Sequence, residues 1–333
     1  MIAYRWRNRL RRYRTRLLRW CVPWAVEAGR PKPYRKLFIV GAPRSGTTWV
    51  NTIFAQHPLV LTTGTESRLY PEVMKPLRKH GARGTQAWLE ILETYRSHLR
   101  EVLGIHRYVS ERTFQRILDE AKHRVGECCE WSDDDAANYV IRRVMDRFFS
   151  KHGGSQRHLF VEKTPIHVLY GREILRTFPE ARILHVLRDG RDVCASLQVR
   201  AWEAEWAPTW RFRQIRIWKQ SAEAGMDLLD AHEFEGRTAL VRYEDLKRDP
   251  DHEIARLFAF AGLPRSPRLV RRVARQTEFR RHRKKGPGKH NNKGAVGGWR
   301  EYFSPEDERL FAQTAGDLFV RCGYRFDEQA HAA

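Results

Sequence analysis

Apolar residues first run together at Leu37-Phe38-Ile39-Val40, and an unbroken run of this length with two β-branched members predicts a strand buried on both faces. Gly41 and Gly46 bound the turn that follows. From Thr47 onward, Trp49, Val50, Ile53 and Phe54 fall on one face of a helix. Leu59–Thr62 predicts a second short strand. Residues 68–150 read as helical, with amphipathic stretches over Ala87–Leu103 and Asp134–Phe149. Between those stretches, Glu127-Cys128-Cys129-Glu130-Trp131 reads as a loop and Asp133–Asp135 as an acidic helix start. Strands return at His158–Glu162, Arg182–Leu187 and Ala239–Arg242. Helices are predicted over Val168–Thr177, from Asp192 through Ser196, over 209–230 with Trp210, Ile217 and Trp218, and over Glu253–Ala261, Pro267–Arg275 and Glu306–Phe319. Residues 280–298 are basic and glycine-rich, hence a loop. Strands alternating with helices imply an α/β fold with a mostly parallel sheet covered on both faces.

The first thirty residues follow another pattern. Trp6, Leu10, Tyr13, Leu17, Trp20 and Trp24 recur at steps of four and three, one stripe of a helix, and eight arginines between Arg5 and Arg19 fill the other faces. That composition suits a basic amphipathic helix lying on anionic lipid, and equally a helix packed on the domain with a solvated basic face. Pro31-Lys32-Pro33 then separates residues 1–30 from a domain over 31–333.

Composition narrows the partners. The chain has 333 residues, 41% of them hydrophobic, enough for one large core or two small ones. Its 62 basic and 40 acidic residues leave a net charge of +22, which implies anionic partners: nucleotide phosphates, sulfated or phosphorylated substrates, anionic lipid or nucleic acid. Five cysteines, at 21, 128, 129, 194 and 322, are odd in number and lack C-x-x-C spacing, which excludes a disulfide framework or a zinc site as the organising device. Reduced thiols, no apolar run of membrane-spanning length and no secretory-type leader give the expectation of a cytoplasmic protein, with the inner membrane face as a further residence through residues 1–30.

The candidate chemistry sits behind the first strand. Backbone N–H groups at a helix start are unsatisfied and the helix dipole favours negative charge there, so Gly41–Gly46 with the following helix makes an anion site. The spacing approaches the Walker A pattern G-x-x-x-x-G-K-S/T, but Thr47 stands where the lysine belongs. A nucleotide without a metal-bound triphosphate fits better, with Arg44 neutralising charge inside the loop. Pro43-Arg44-Ser45-Gly46-Thr47-Thr48-Trp49 directly behind a strand resembles the 5′-phosphosulfate loop of the sulfotransferase family, whose donor is PAPS (3′-phosphoadenosine 5′-phosphosulfate). The resemblance spans roughly residues 36–320 and implies a P-loop-NTPase-like three-layer sandwich in which Arg44, Ser45, Gly46, Thr47 and Thr48 hold the donor, Trp49 stacks its adenine, and residues 68–150 form a helical insertion on the acceptor side.

Further family motifs follow in order. Arg188 at a strand end and Ser196 eight residues later match the family's 3′-phosphate pair, and arginine suits phosphate because its planar fork binds oxygens bidentately. Asn292-Lys293-Gly294-Ala295-Val296-Gly297-Gly298-Trp299 resembles the C-terminal R-K-G-x-x-G-x-W loop. Lys293 and Gly294 carry over as 3′-phosphate contacts; Asn292 replaces the usual arginine, a charge that Arg280, Arg283 or Lys289 could restore. Tyr243, Thr277 and Phe279 match the remaining adenine contacts.

For catalysis, the resemblance points away from the histidine of the aryl and steroid enzymes, because Lys163-Thr164 is followed by Pro165. Gly64-Thr65-Glu66-Ser67-Arg68 instead resembles the G-E-E-T-R segment of tyrosylprotein sulfotransferases. It implies Glu66 as general base, Arg68 orienting the base or the acceptor, and Lys163 with Arg44 as the cations around the transferring group. Glu162 and His167 are the rival bases, with Glu162 as a buttress for Lys163. The implied function is a PAPS-dependent transferase acting on a hydroxyl, less readily an amine, of a glycan, lipid, peptide or small molecule, without a required metal. The alternatives are an ATP-dependent small-molecule kinase, or a basic membrane- or nucleic-acid-binding module with an inactive nucleotide site. No nucleic-acid partner is expected, because the basic loop lacks the interleaved aromatics that stack on single strands.

Overall fold

A computed structural model describes residues 35–97, 104–127, 130–153, 157–202, 204–278 and 294–326. Residues 1–30, Cys128, Cys129, Phe279, Arg280, Arg283, Lys289, Asn292 and Lys293 lie outside them. Five strands, β1 (Arg35–Gly41), β2 (Val60–Thr62), β3 (Leu159–Lys163), β4 (Arg182–Leu187) and β5 (Thr238–Arg242), form one sheet in the order β2-β3-β1-β4-β5. Every pairing is parallel, and the register sets Ile39 of β1 between Lys163 of β3 and Leu184 of β4.

The pleat of β1 sorts its apolar run to two cores. Leu37 and Ile39 face a layer made by α1 (Thr47–Ala55) and, beyond β5, α9 (Tyr243–Arg248), α10 (Pro250–Phe260) and α11 (Pro267–Thr277). Phe38 and Val40 face the other layer, where the insertion helices α2 (Leu69–His80), α3 (Thr85–Ser97), α4 (Glu111–Glu127) and α5 (Asp133–His152) build the largest cluster. A third cluster joins α7 (Gly190–Ala201), α8 (Arg211–Leu229) and α12 (Pro305–Arg321) around Trp218, Phe311 and Phe319. The acidic start at Asp133–Asp135 is a capping box, with Ser132 accepting from the Asp135 N–H.

The element predicted over Val168–Thr177 is instead a 3₁₀ segment, Pro165–Tyr170, followed by the short helix α6 (Gly171–Thr177). Pro165 starts the segment early because it needs no N–H partner in a first turn. Among the described residues no helix is long and apolar enough to cross a membrane.

One buried group gives the fold a pH dependence. His185 of β4 is 2% exposed, its ring lies against Gly225 of α8, and neither ring nitrogen has a hydrogen-bond partner. Burial pulls its pKa from 6.5 down to about 4. The folded chain therefore keeps this imidazole neutral where the unfolded chain protonates it, so stability is complete above pH 6.5 and falls as pH drops toward 4. Unfolding titrations at pH 7 and pH 5 are expected to differ by about 2 kcal/mol more in wild type than in His185→Leu, from ~1.4 kcal/mol per pH unit. Equal differences in the two proteins would show that the ring does not set this dependence.

Candidate functional site

The sheet order reverses at β1, with β2 and β3 on one side and β4 and β5 on the other. Ligands of open parallel sheets bind at such a switch point, outside the carboxyl ends of the strands, and the glycine-bounded loop leaves β1 there. The turn is tight for two reasons. Gly41 has φ 147° and its missing Cβ leaves room for the Val186 carbonyl of β4; Gly46 has φ 104° and packs under the Tyr243 ring. Gly46 is the N-cap of α1 and supplies no side chain to cover the helix start, so the first N–H groups stay open to a ligand.

The loop and the strand-β4 site meet. Arg44, itself in the left-handed region at φ 76°, donates from Nε to Ser196 Oγ on α7 at 3.0 Å. Arg188 is 5% exposed, donates from Nη1 to the Arg44 carbonyl at 3.4 Å and from Nη2 to the Ala295 carbonyl at 2.9 Å, and stacks 4.4 Å from the Tyr243 ring centroid. Its Nε and the buried Ser45 hydroxyl have no hydrogen-bond partner. Unpaired buried donors cost about 1–3 kcal/mol each, and these two stand in the pocket where the sequence calls for phosphate. The residues present therefore fit a phosphate-bearing ligand.

The aromatic side of the pocket is equally built. Trp49 is half-buried, donates from Nε1 to the Thr277 carbonyl at 2.9 Å and meets Tyr243 edge-on at 5.5 Å. Thr277 contributes that carbonyl rather than its hydroxyl, which returns to Val273 within α11. The Tyr243 hydroxyl donates to the Gly294 carbonyl at 2.9 Å, and Lys247 donates to the same oxygen. Gly294, in the left-handed region at φ 57°, is thereby held at the pocket's rim.

A second cluster lies at the end of β3. Lys163 Nζ donates to Glu66 Oε1 at 2.7 Å; the lysine side chain is 6% exposed and the glutamate 25%. Glu162, its neighbour in sequence, points to the opposite face by the pleat and does not buttress Lys163. Its carboxylate instead accepts from the Ser67 hydroxyl at 2.7 Å, the Thr164 hydroxyl at 2.7 Å, the Ser67 N–H at 3.3 Å and His167 Nδ1 at 3.0 Å. The Tyr70 N–H donates to His167 Nε2, which assigns the ring proton to Nδ1. Burial pushes the Glu162 carboxyl up, but these donors outweigh it and hold it below the ordinary glutamate value. At 1% and 0% exposure, Glu162 and His167 are out of reach of an acceptor; they fix the Glu66-Ser67-Arg68 segment from beneath. Arg68 caps α2 at φ 55° and pairs with Glu72 at 2.8 Å.

A profile of the sulfotransferase family matches residues 36–267. The chain belongs to the sulfotransferase family. A protein-tyrosine sulfotransferase of Drosophila melanogaster is 24% identical over 234 residues, 68% of this chain and 38% of that protein, so the chain spans about two-fifths of the curated relative it matches. The sulfotransferase domain of the Synechococcus PCC 7002 olefin synthase superposes with a TM-score of 0.51 at 19% identity, covering 92% of this chain and all of that one. A mouse sulfotransferase complexed with PAP aligns at 14% identity over 88% of each chain, with a TM-score of 0.48.

This sulfotransferase also uses residues that its motifs did not single out. Asp192 accepts from the Gly297 N–H at 3.0 Å and the Trp299 N–H at 2.9 Å and lies 3.6 Å from Arg188, which clamps the C-terminal loop onto α7. Glu244 accepts from the Asp189 N–H at 3.0 Å and holds the β4 exit against α9. Asp192 opens the helix predicted through Ser196, but its loop partners Gly297 and Trp299 lie over a hundred positions away, where no local spacing points to them.

Proposed function

We propose that this chain transfers the sulfuryl group of PAPS to a hydroxyl of its acceptor, with Glu66 as general base. The observation that carries the reading is the Lys163–Glu66 pair, a cation and a partly exposed carboxylate 2.7 Å apart at the carboxyl edge of the sheet, beside the phosphate loop. The acceptor hydroxyl gives its proton to the Glu66 carboxylate as its oxygen bonds to sulfur. The bond between sulfur and the 5′-phosphate oxygen breaks, and 3′,5′-ADP leaves with the electron pair. Lys163 and Arg44 offset the charge that grows on the bridging and leaving oxygens, a task of positioning and electrostatics. Arg188, Ser196 and the Gly294 segment hold the 3′-phosphate, and Trp49 with Tyr243 holds the adenine. Lys163 releases Glu66 when it turns to the donor, so the base is freed only in a loaded site.

The Drosophila relative brings a tyrosyl hydroxyl into the acceptor set beside glycan and lipid hydroxyls. Calorimetry tests the donor half: 3′,5′-ADP is expected to bind tightly without Mg²⁺ and ATP poorly, and the reverse order would favour the kinase reading. Transfer of radiolabelled sulfate from PAPS into lipid, glycan and peptide extracts then names the acceptor class; no transfer into any of them, with the donor bound, would remove the catalytic reading.

A further inference from the structure

The segment joining α7 to α8 carries a surface that the donor site leaves unused. Trp202, Trp206, Trp210 and Phe212 are 60%, 57%, 78% and 49% exposed, whereas Trp218 two turns along α8 is fully buried. The rings are not on a loose excursion. Gln214, buried at the start of α8, donates from Nε2 to the Pro208 carbonyl at 2.8 Å and to Gln198 Oε1 of α7 at 2.9 Å, which pins the base of the segment. Arg211 is tied down as well, to Asp307 at 3.1 Å and to the Tyr302 carbonyl. Cations stand among the rings. The Arg200 guanidinium lies 6.0 Å from the Trp206 ring, Arg216 lies 5.8 Å from Phe212, and Arg213 is exposed beside them. In sequence, residues 200–216 carry four arginines against two glutamates, Glu203 and Glu205.

We propose that this tryptophan–arginine surface docks the enzyme on an anionic lipid bilayer. Exposed aromatic clusters of this size mark interaction sites, and tryptophan, with an apolar body and one N–H, partitions to the headgroup level of a membrane. Arginine between the rings pairs with lipid phosphate through its planar fork. Charge selects this occupant over the others. A second copy would set arginine against arginine, and residues 1–30 of the same chain are themselves arginine-rich. A neutral sugar would leave Arg213 and Arg216 without counter-charge. Membrane attachment through one weak element is marginal, and two elements on one chain multiply. Loss of this surface is therefore measurable whether or not residues 1–30 also hold lipid.

The test uses the full chain and extruded vesicles of phosphatidylcholine alone or with about a third phosphatidylglycerol, read by flotation and by brominated-lipid quenching of tryptophan emission. Wild type is expected to float with the anionic vesicles and to be quenched by them. Trp202→Ser/Trp206→Ser/Trp210→Ser is expected to partition at least ~10-fold less, with the quenching reduced, because each ring carries apolar area to the interface. Arg213→Glu/Arg216→Glu is expected to lose the preference for anionic over neutral vesicles. Unchanged binding of 3′,5′-ADP and an unchanged melting curve establish that the variants fold. Wild-type partition in both variants overturns the proposal. So does retention on a soluble polyanionic glycan that the variants lose while their vesicle binding stays intact, which assigns the surface to that polymer instead.

Discussion

Glu66→Gln is expected to lower kcat by ~10²–10⁴-fold while the KM for the donor stays within a few-fold, the range that removal of a general base produces. The substitution is chosen for what it keeps. Glutamine has the same shape, and its carbonyl oxygen still accepts from Lys163 Nζ, so the lysine keeps the partner it has at 2.7 Å. The Glu66 backbone also stays in place, because its carbonyl accepts from the Gly104 N–H at 2.9 Å. What is lost is the capacity to take a proton. Near-normal turnover would end the assignment and leave Lys163 with a structural ion pair. A rise in donor KM with kcat preserved would place Glu66 in nucleotide binding instead.

The parts of this site that could be read from the sequence are the parts encoded locally. Leu37–Val40 announced β1 because both faces of a central parallel strand are covered, and Gly41, Gly46 and the apolar face behind Thr47 announced the loop and α1. Arg188 and Ser196 are one strand end and the helix after it. What escaped was spatial. Glu162 looks like a strand residue beside a useful lysine, yet its partners Ser67 and His167 come from a distant turn and from the segment after Pro165, and the pleat sends it away from Lys163. Helix α9 has six residues and only Tyr243 and Leu246 buried, too short to show a period. Trp210 fits the apolar stripe of α8 in sequence, but it is the N-cap and stands in solvent while Gln214 takes the buried position one turn on.

Glu162→Gln is expected to do most of its damage to stability, on the order of 2–4 kcal/mol, because one or two buried donors lose their partner at ~1–3 kcal/mol each. The carboxylate is surrounded by donors alone: two hydroxyls, an N–H and His167 Nδ1. A glutamine can turn only its oxygen toward them. Its amide group then faces either the imidazole N–H, donor against donor, or the Ser67 and Thr164 hydroxyls, which already accept from the Leu69 N–H and from the Ser67 and Arg68 N–H groups. Turnover should fall as well, because Ser67 is the residue after Glu66 and loses the anchor that fixes that segment. Two readouts separate this from a chemical role: a lowered melting temperature, and a loss of kcat well short of that in Glu66→Gln at unchanged donor KM. His167→Ala removes one donor and leaves the carboxylate with the other three, so its stability loss should be smaller. A ~10²–10⁴-fold loss of kcat in Glu162→Gln with the melting temperature intact would reverse the two carboxylates, making Glu162 the proton acceptor and Glu66 the partner that holds Lys163.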